Sequence, residues 1–303
     1  MPGIKEIRSK IKSVQSTRKI TRAMEMVAAS KMRKAQDRMK IFRPYASNMR
    51  RMAVHLMQGN PEYSHPYLNE RKVSSVGIIL VSTDKGLCGG MNTNISRLVL
   101  SKIKEFSKDN IEVYTSAFGQ KGLNLLTRIG SNLLSQETQL GDVPDIGKLS
   151  PVMDVQLKSY MDGKIDSLYI ASTRFVNTMK QEPVFSRLLP LSENLEDPYY
   201  ENDNKTHITD TKADTKVYNW DYIYEPDSRT VIDNLLDRYV DCLLYQAVVE
   251  NMASEQSARM VAMKAASDNA KRVIDDLQMV YNKNRQTAIT KEISEIVSGA
   301  SAV

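Results

Sequence analysis

From residue 227 to residue 298 the chain contains neither glycine nor proline. These are the two residues that most readily end a helix, glycine through its backbone freedom and proline through its missing N–H. An uninterrupted α-helix of those 72 residues would be a rod of about 110 Å at 1.5 Å per residue. No domain that 303 residues can build would enclose it, so the helix must project. Pro226 suits its first turn, and Asp227 stands where the helix dipole favours an anion.

The side-chain pattern says what the rod needs. Alternating steps of three and four from Ile232 visit Leu235, Tyr239, Cys242, Gln246, Val249, Ala253, Gln256, Met260, Met263, Ser267, Ala270, Ile274, Leu277 and Tyr281, and 12 of these 15 are apolar. That is the 3.5-residue seam of a coiled coil. The amino terminus carries a second one. From Ile4 the same stepping visits Ile7, Ile11, Val14, Arg18, Thr21, Glu25, Ala28, Met32, Ala35, Met39, Phe42, Ala46, Met49, Ala53 and Leu56, with 13 of 16 apolar. Pro44 falls inside this pattern, which resumes in register beyond it, so a kink is expected there rather than an end. Gly59-Asn60-Pro61 then terminates the element. If the two rods pair antiparallel, about 18 residues near 281–298 extend beyond their partner, yet they still carry Ile289, Ile293, Ile296 and Val297. A lone helix with that stripe is marginal in water, so another protein should enclose it.

Between the rods the period shortens. Residues 73–82 (VSSVGIILVS), 111–117 (IEVYTSA) and 167–173 (SLYIAST) read as strands, and 92–107, 119–129 and 151–162 as helices, an alternating α/β order. Residues 192–216 are polar and lean acidic, as a mobile insertion would be. Residues 217–224 (VYNWDYIY) read as a last strand feeding the long helix. The domain plan is therefore a coiled-coil helix over 1–58, an α/β domain over 59–225 and a second coiled-coil helix over 226–303.

Nothing catalytic converges. STDKGLCGGMN (82–92) follows a strand and opens a helix, but Gly86, Gly89 and Gly90 fit neither GxGxxG nor GxxxxGK[ST], which favours a structural turn. GDVPDIGK (141–148) has one residue too many between its glycines for a phosphate loop, and Leu149 stands where Ser or Thr should hold magnesium. His55, His65 and His207 lack metal-ligand spacing. Cys88 beside Gly89 reads as a small buried side chain, and Cys88 and Cys242 form no CxxC pair. Trp220 and its neighbouring tyrosines suit a contact surface or a core. No catalytic residue, metal or cofactor is expected. Nor does any apolar run reach the roughly 18 residues that a membrane span requires.

Charge is distributed unevenly. Residues 1–51 hold 15 Lys and Arg against Glu6, Glu25 and Asp37, a balance of +12, which leaves −6 for the remainder of a chain of net +6. The cluster Lys31, Arg33, Lys34, Arg38 and Lys40 leaves the apolar seam intact. Such a face suits nucleic acid, lipid head groups or an acidic protein surface. Few aromatics are interleaved for base stacking, which weighs against nucleic acid. Seven methionines in the first helix (Met24, Met26, Met32, Met39, Met49, Met52 and Met57) fill a core or provide a soft sliding surface.

These segments resemble the γ subunit family of bacterial F-type ATP synthases. IRSKIKSVQSTRKITRAMEMVAASKMRKAQ (7–36) is similar to its amino-terminal signature, and SSVGIILVSTDKGLCGGMN to the opening of its central domain. ASEQSARMVAMKAASDNA (253–270) and VYNKNRQTAITKEISEIVSGA (280–300) are similar to its carboxyl-terminal signature. The resemblance implies an antiparallel coiled coil of the terminal helices with a Rossmann-like α/β domain between them. It implies a non-catalytic rotor shaft inside a hexameric ring of α and β subunits, standing on the c-subunit ring and touching ε. Such a shaft couples proton flow to ATP synthesis or hydrolysis on β. It would be peripheral, at the cytoplasmic face of the bacterial inner membrane, with no nucleic-acid partner. Met24, Lys31, Arg33 and Lys34 would meet the moving β loops. Arg259, Gln286, Thr290 and Glu292 would meet the α/β sleeve, and Tyr222 and Tyr224 would lie near the ring and ε. The rival readings are a coiled-coil scaffold binding nucleic acid or anionic membrane through its basic helix, and a nucleotide-binding enzyme built on the central domain.

Overall fold

Helix α1 spans Ile4–Gln58 and helix α5 spans Ser228–Ser301, 55 and 74 residues. Between them come strand β1 (Ser75–Val81), α2 (Met91–Lys108), β2 (Glu112–Phe118), α3 (Gln120–Arg128), β3 (Asn132–Glu137), α4 (Ile146–Met161), β4 (Ser167–Phe175) and β5 (Gln181–Leu189). The computed structural model describes residues 4–58, 65–191 and 224–301. The expected terminator 59–61, the insertion 192–216 and most of the strand expected over 217–224, with Trp220 and His207, lie outside the described residues.

The chain divides into two units, one comprising 1–29 with 259–303 and the other 30–258. In the larger unit, the sheet order is β3-β2-β1-β4-β5. The first four strands run parallel and β5 pairs antiparallel to β4. β1 is buried at every residue, as expected of a strand covered on both faces. This is the expected Rossmann-like arrangement. β3 and β5 were not legible in the sequence. Both are edge strands, one polar (NLLSQE) and the other interrupted by Pro183, a residue that sheets tolerate at an edge.

Helix α4 begins five residues earlier than 151. The Asp145 side chain accepts from Gly147 N at 3.0 Å and caps its first turn, and Pro151 lies inside the helix. α1 likewise continues through Pro44, which is exposed. At the start of α5, Asp227 accepts from Thr230 N at 2.8 Å and from Thr230 Oγ1 at 2.9 Å, so Asp227 caps the helix and Pro226 precedes it. The far end of α5 runs through Gly299 to Ser301.

Both terminal helices enter this unit antiparallel. Phe42 of α1 packs on Tyr245 of α5 with ring centroids 4.6 Å apart. Ala35 and Met39 cluster with Val249 and Ala253, and further along Met49 lies across a groove from Leu235. In the smaller unit, Ile7 and Ala28 of α1 and Met263, Ser267, Ala270 and Ile274 of α5 are buried. The burial stripe of α5 continues through half-buried Tyr281, Asn284 and Ala288, and residues 289–298 are then all exposed. The bare stretch thus begins about a heptad later than 281.

Candidate partner-contact surfaces

Three surfaces bear on function: the basic face of α1, the carboxyl edge of the sheet, and the end of α5. On the basic face, Lys31 and Arg38 are tied to their own chain. Lys31 Nζ lies 2.7 Å from Asp142 Oδ1, and Arg38 Nη1 donates to the Asp142 carbonyl at 2.5 Å. The hydrogen bond from Lys31 holds the Asp142 carboxyl below its ordinary pKa, against a smaller opposing effect of burial. Asp142 follows Gly141, whose φ of +74° is the left-handed conformation glycine adopts without strain. The GDVPD segment is therefore a turn that brings a carboxylate to the basic helix. Arg33 and Lys34 are exposed. Met24 belongs to the smaller unit and is half-buried.

At the carboxyl edge of the sheet, the chain supplies its own anion. Asp84 follows β1, and its Oδ1 accepts from Gln120 N at 3.1 Å and Gln139 N at 3.0 Å. Its Oδ2 accepts from Leu140 N at 3.0 Å. Gln120 is the first residue of α3. The Asp84 carboxylate thus ties the turn after β1 to the first turn of α3 and to the segment after β3. Ser82 Oγ accepts from Gly122 N at 2.7 Å and donates to the Phe118 carbonyl at 2.9 Å. Gly119 sits between them with φ +87°, and a Cβ on it would lie 2.6 Å from the Ser82 carbonyl oxygen, so only glycine fits. The STDKGLCGGMN segment is the structural turn its glycine spacing suggests. Within it, Thr83 Oγ1 donates to Lys85 O and accepts from Asn92 Nδ2. Cys88 is buried against Met91 and Ala258.

Of the three histidines, His65 is buried. Its Nδ1 accepts from Tyr67 N at 3.1 Å and its Nε2 lies 3.4 Å from Asp233 Oδ1. Burial is the main influence and lowers its pKa, with Asp233 and Asp237 pulling the other way. The Tyr67 hydroxyl donates to Asp237 Oδ1 at 3.0 Å, and burial, then Asp237, raises its pKa. His65 is thus a packed core residue beside aspartates.

The remaining expected contact residues separate by unit. Arg259 is buried. Gln286, Thr290 and Glu292 are exposed, with Thr290 Oγ1 donating to the Gln286 carbonyl one turn back at 2.9 Å. Beyond them Ile293 and Ile296 are 56% and 70% exposed, and Ile289 and Val297 are exposed with them. Tyr224 is half-buried against the core of the larger unit, while Tyr222 lies outside the described residues. Among the described residues, Met24, Arg259, Gln286, Thr290 and Glu292 belong to the smaller unit, and Lys31, Arg33, Lys34 and Tyr224 to the larger. Asp84, Asp142 and the polar run Asn251, Ser254 and Ser257 went unread in the sequence. The signal for the last was three small polar residues in a helix stretch otherwise rich in apolar ones.

A family model described as ATP synthase matches residues 3–303. The ATP synthase gamma chain of Bordetella pertussis is 69% identical over 304 residues, all of both chains. The corresponding chain of Ralstonia nicotianae is 57% identical over 303 residues, again all of both. Among solved structures, a chain of the Euglena gracilis mitochondrial ATP synthase (OSCP, F1 and c-ring, rotational state 3) superposes with a TM-score of 0.69. It covers 99% of this chain and 94% of that one at 19% identity, a likeness of fold. A chain from the central stalk and c-ring of the Tetrahymena thermophila enzyme gives a TM-score of 0.60 at 25% identity, covering 82% of this chain and 99% of that one. This chain belongs to the ATP synthase gamma chain family.

Proposed function

We propose that the chain is the central rotor shaft of an F-type ATP synthase, coupling proton flow through the membrane sector to ATP synthesis or hydrolysis on the β subunits. The observation that carries this reading is the identity of 69% spread over the whole length. A shaft works through its entire surface rather than a few site residues, so full-length similarity is the relevant kind. The two long seamed helices and the exposed apolar end of α5 support it. They are what a rod enclosed at one end by a sleeve requires.

The chain is a subunit of an enzyme complex. On our reading it performs no chemistry itself, a view supported by the turn after β1, whose Ser82, Thr83 and Asp84 side chains are bonded to their own chain. Its partners are the hexameric ring of α and β subunits, the ε subunit and the c-subunit ring. It is a peripheral member of a membrane-associated complex. No described helix is long and apolar enough to cross a membrane. We assign it to the cytoplasmic face of the bacterial inner membrane.

Residues 1–58 and 226–303 would form the shaft, and 59–225 the foot on the c-ring. Met24, Arg33 and Lys34 would meet the moving β loops, with Lys31 shared between those loops and Asp142. Arg259, Gln286, Thr290 and Glu292 would contact the α/β sleeve, and Tyr222 and Tyr224 would approach the ring and ε. Affinity isolation of the tagged chain from native membranes tests the reading. Recovery of α, β and ε subunits is expected, and recovery of none of them would overturn it.

A further inference from the structure

The sheet order reverses between β1 and β4, because the chain moves outward through β2 and β3 on one side of β1 and then places β4 on the other. In open parallel sheets, the crevice outside the carboxyl ends of two such strands is where ligands bind. Here part of α5 fills it. Asn251 Nδ2 donates to the carbonyl of Ser82, the residue after β1, at 3.2 Å. Ser254 Oγ donates to the carbonyl of Thr173 in β4 at 3.2 Å, and Glu250 Oε2 accepts from the amide of Phe175, the last residue of β4, at 3.0 Å. Ser257 Oγ donates to Thr178 O at 2.8 Å and accepts from Gln181 Nε2 at 3.3 Å. Ser254 and Ser257 are 0% exposed, Asn251 2% and Glu250 5%.

These polar groups are a poor choice for stability alone. Because the Ser82 carbonyl can only accept, the amide nitrogen of Asn251 must face it. The Asn251 Oδ1 is then left buried without a hydrogen-bond partner among the described residues. The asparagine thus satisfies the Ser82 carbonyl at the cost of its own buried oxygen, which calls for an explanation beyond stability. Apolar packing is non-directional and opposes separation more than sliding. Hydrogen bonds weaken steeply when misaligned, so several of them aimed at the main chain of two adjacent strands oppose turning of the helix about its axis.

We propose that Glu250, Asn251, Ser254 and Ser257 form a joint that fixes the rotational register of α5 on the sheet, and that torque passes between sheet and helix through it. The joint occupies the place of the ligand that folds of this class hold. They act as positioning residues, through their bonds to the chain around β1 and β4. The proposal rests on the rotor reading and names the contacts through which that rotor is driven.

The test uses membrane vesicles carrying the whole complex, and reads protons pumped per ATP hydrolysed alongside the amount of assembled complex. The double variant Asn251→Leu/Ser254→Ala is expected to hydrolyse ATP at a rate per complex within about two-fold of wild type but to pump at least about two-fold fewer protons per ATP, in keeping with the loss of two directional bonds. Ser254→Thr, which keeps the hydroxyl, is expected to pump like wild type. A double variant that yields less complex but pumps at the wild-type ratio would show that these residues only stabilise the fold, and would overturn the proposal. If the double variant does not assemble, Ser257→Ala alone carries the same test, a lowered ratio supporting the joint and a wild-type ratio overturning it. Absence of ATP-driven pumping in wild-type vesicles would instead remove the rotor reading itself.

Discussion

Helix α5 is built in two ways along one continuous backbone. From Tyr239 to Ala258 no residue is exposed, while from Ser267 to Ala288 burial is confined to a stripe through Ser267, Ala270, Ile274, Leu277, Tyr281, Asn284 and Ala288. The sequences differ to match: YVDCLLYQAVVENMASEQSA spreads apolar and small residues round the helix with larger polar ones among them, and KAASDNAKRVIDDLQMVYNKNRQTA is charged or polar at most positions off its seam. A helix surrounded by other elements must be compatible with burial all round, whereas a helix with a single seam needs only a narrow stripe. In the larger unit α5 is bounded by α1 and by the sheet. In the smaller unit its burial follows the seam alone.

The contrast should appear first in truncations. Leu244→Ala, at a side chain 1% exposed in the main core, is expected to cost about 3–5 kcal/mol, and Ile274→Ala, 6% exposed in a stripe flanked by exposed residues, about 2 kcal/mol, the low end for such a truncation. Urea denaturation of the purified chain reads both. Equal losses would mean that the two halves are buried alike.

A second difference is local polar fastening within the larger unit. Asp166 Oδ2 accepts from Ser74 N at 2.8 Å, Ser74 Oγ at 2.7 Å and Ser75 N at 3.0 Å, pinning the start of β1 to that of β4. Burial pushes its pKa up, but the hydrogen bonds from Ser74 and Ser75 together outweigh it and hold the carboxyl below the ordinary range. A depressed folded pKa means stability that is fully present above the unfolded value and lost as pH falls through the folded one. Asp166→Ala is therefore expected to cost about 1–3 kcal/mol at neutral pH and progressively less in acid. A loss that does not shrink with acidification would contradict the assignment.

Asp241 on α5 has the opposite sign. Burial is the main cause raising its pKa, with neighbouring Asp154 and Asp237 adding to it. A raised carboxyl pKa destabilises the folded state above that pKa, and the cost disappears as pH falls below the unfolded value. Asp241→Asn can keep the acceptor that faces Ser150 Oγ at 3.5 Å. It should raise the melting temperature modestly at pH 7 and leave it unchanged near pH 3, below the ordinary carboxylate range. A gain that persists in acid would point to a cause other than charge.

The smallest effect on the chain itself is expected at the end of α5. Ile293→Asp, at a 56% exposed position, should change the stability of the isolated chain by less than about 0.5 kcal/mol. It should nonetheless weaken assembly with the α and β subunits, measured by their recovery with the tagged chain. Undiminished recovery would show that no sleeve encloses this stripe.

The long-range plan was legible because helix period and strand period are properties of single segments. Every described seam position of both helices, including Arg18, Thr21 and Glu25, escapes full exposure. β3 and β5 were hidden because edge strands need only one bonded neighbour and tolerate polar residues and proline. The contacts of Asp142 with Lys31 and Arg38 join residues more than a hundred positions apart, and those of Asn251 and Ser254 cross to strands far away in sequence. No local pattern encodes such pairs. What the sequence carried of them was only unexplained polarity within an apolar stretch.

Whether the chain turns can be observed directly. Cys88 and Cys242 are both buried, so a cysteine introduced at exposed Lys108 would take a probe at one place on the α/β domain. With the α and β subunits fixed to a surface and ATP supplied, the probe is expected to rotate in one direction, pausing once for each β subunit in every turn. A probe that stays still while the same complexes hydrolyse ATP would contradict the rotor account.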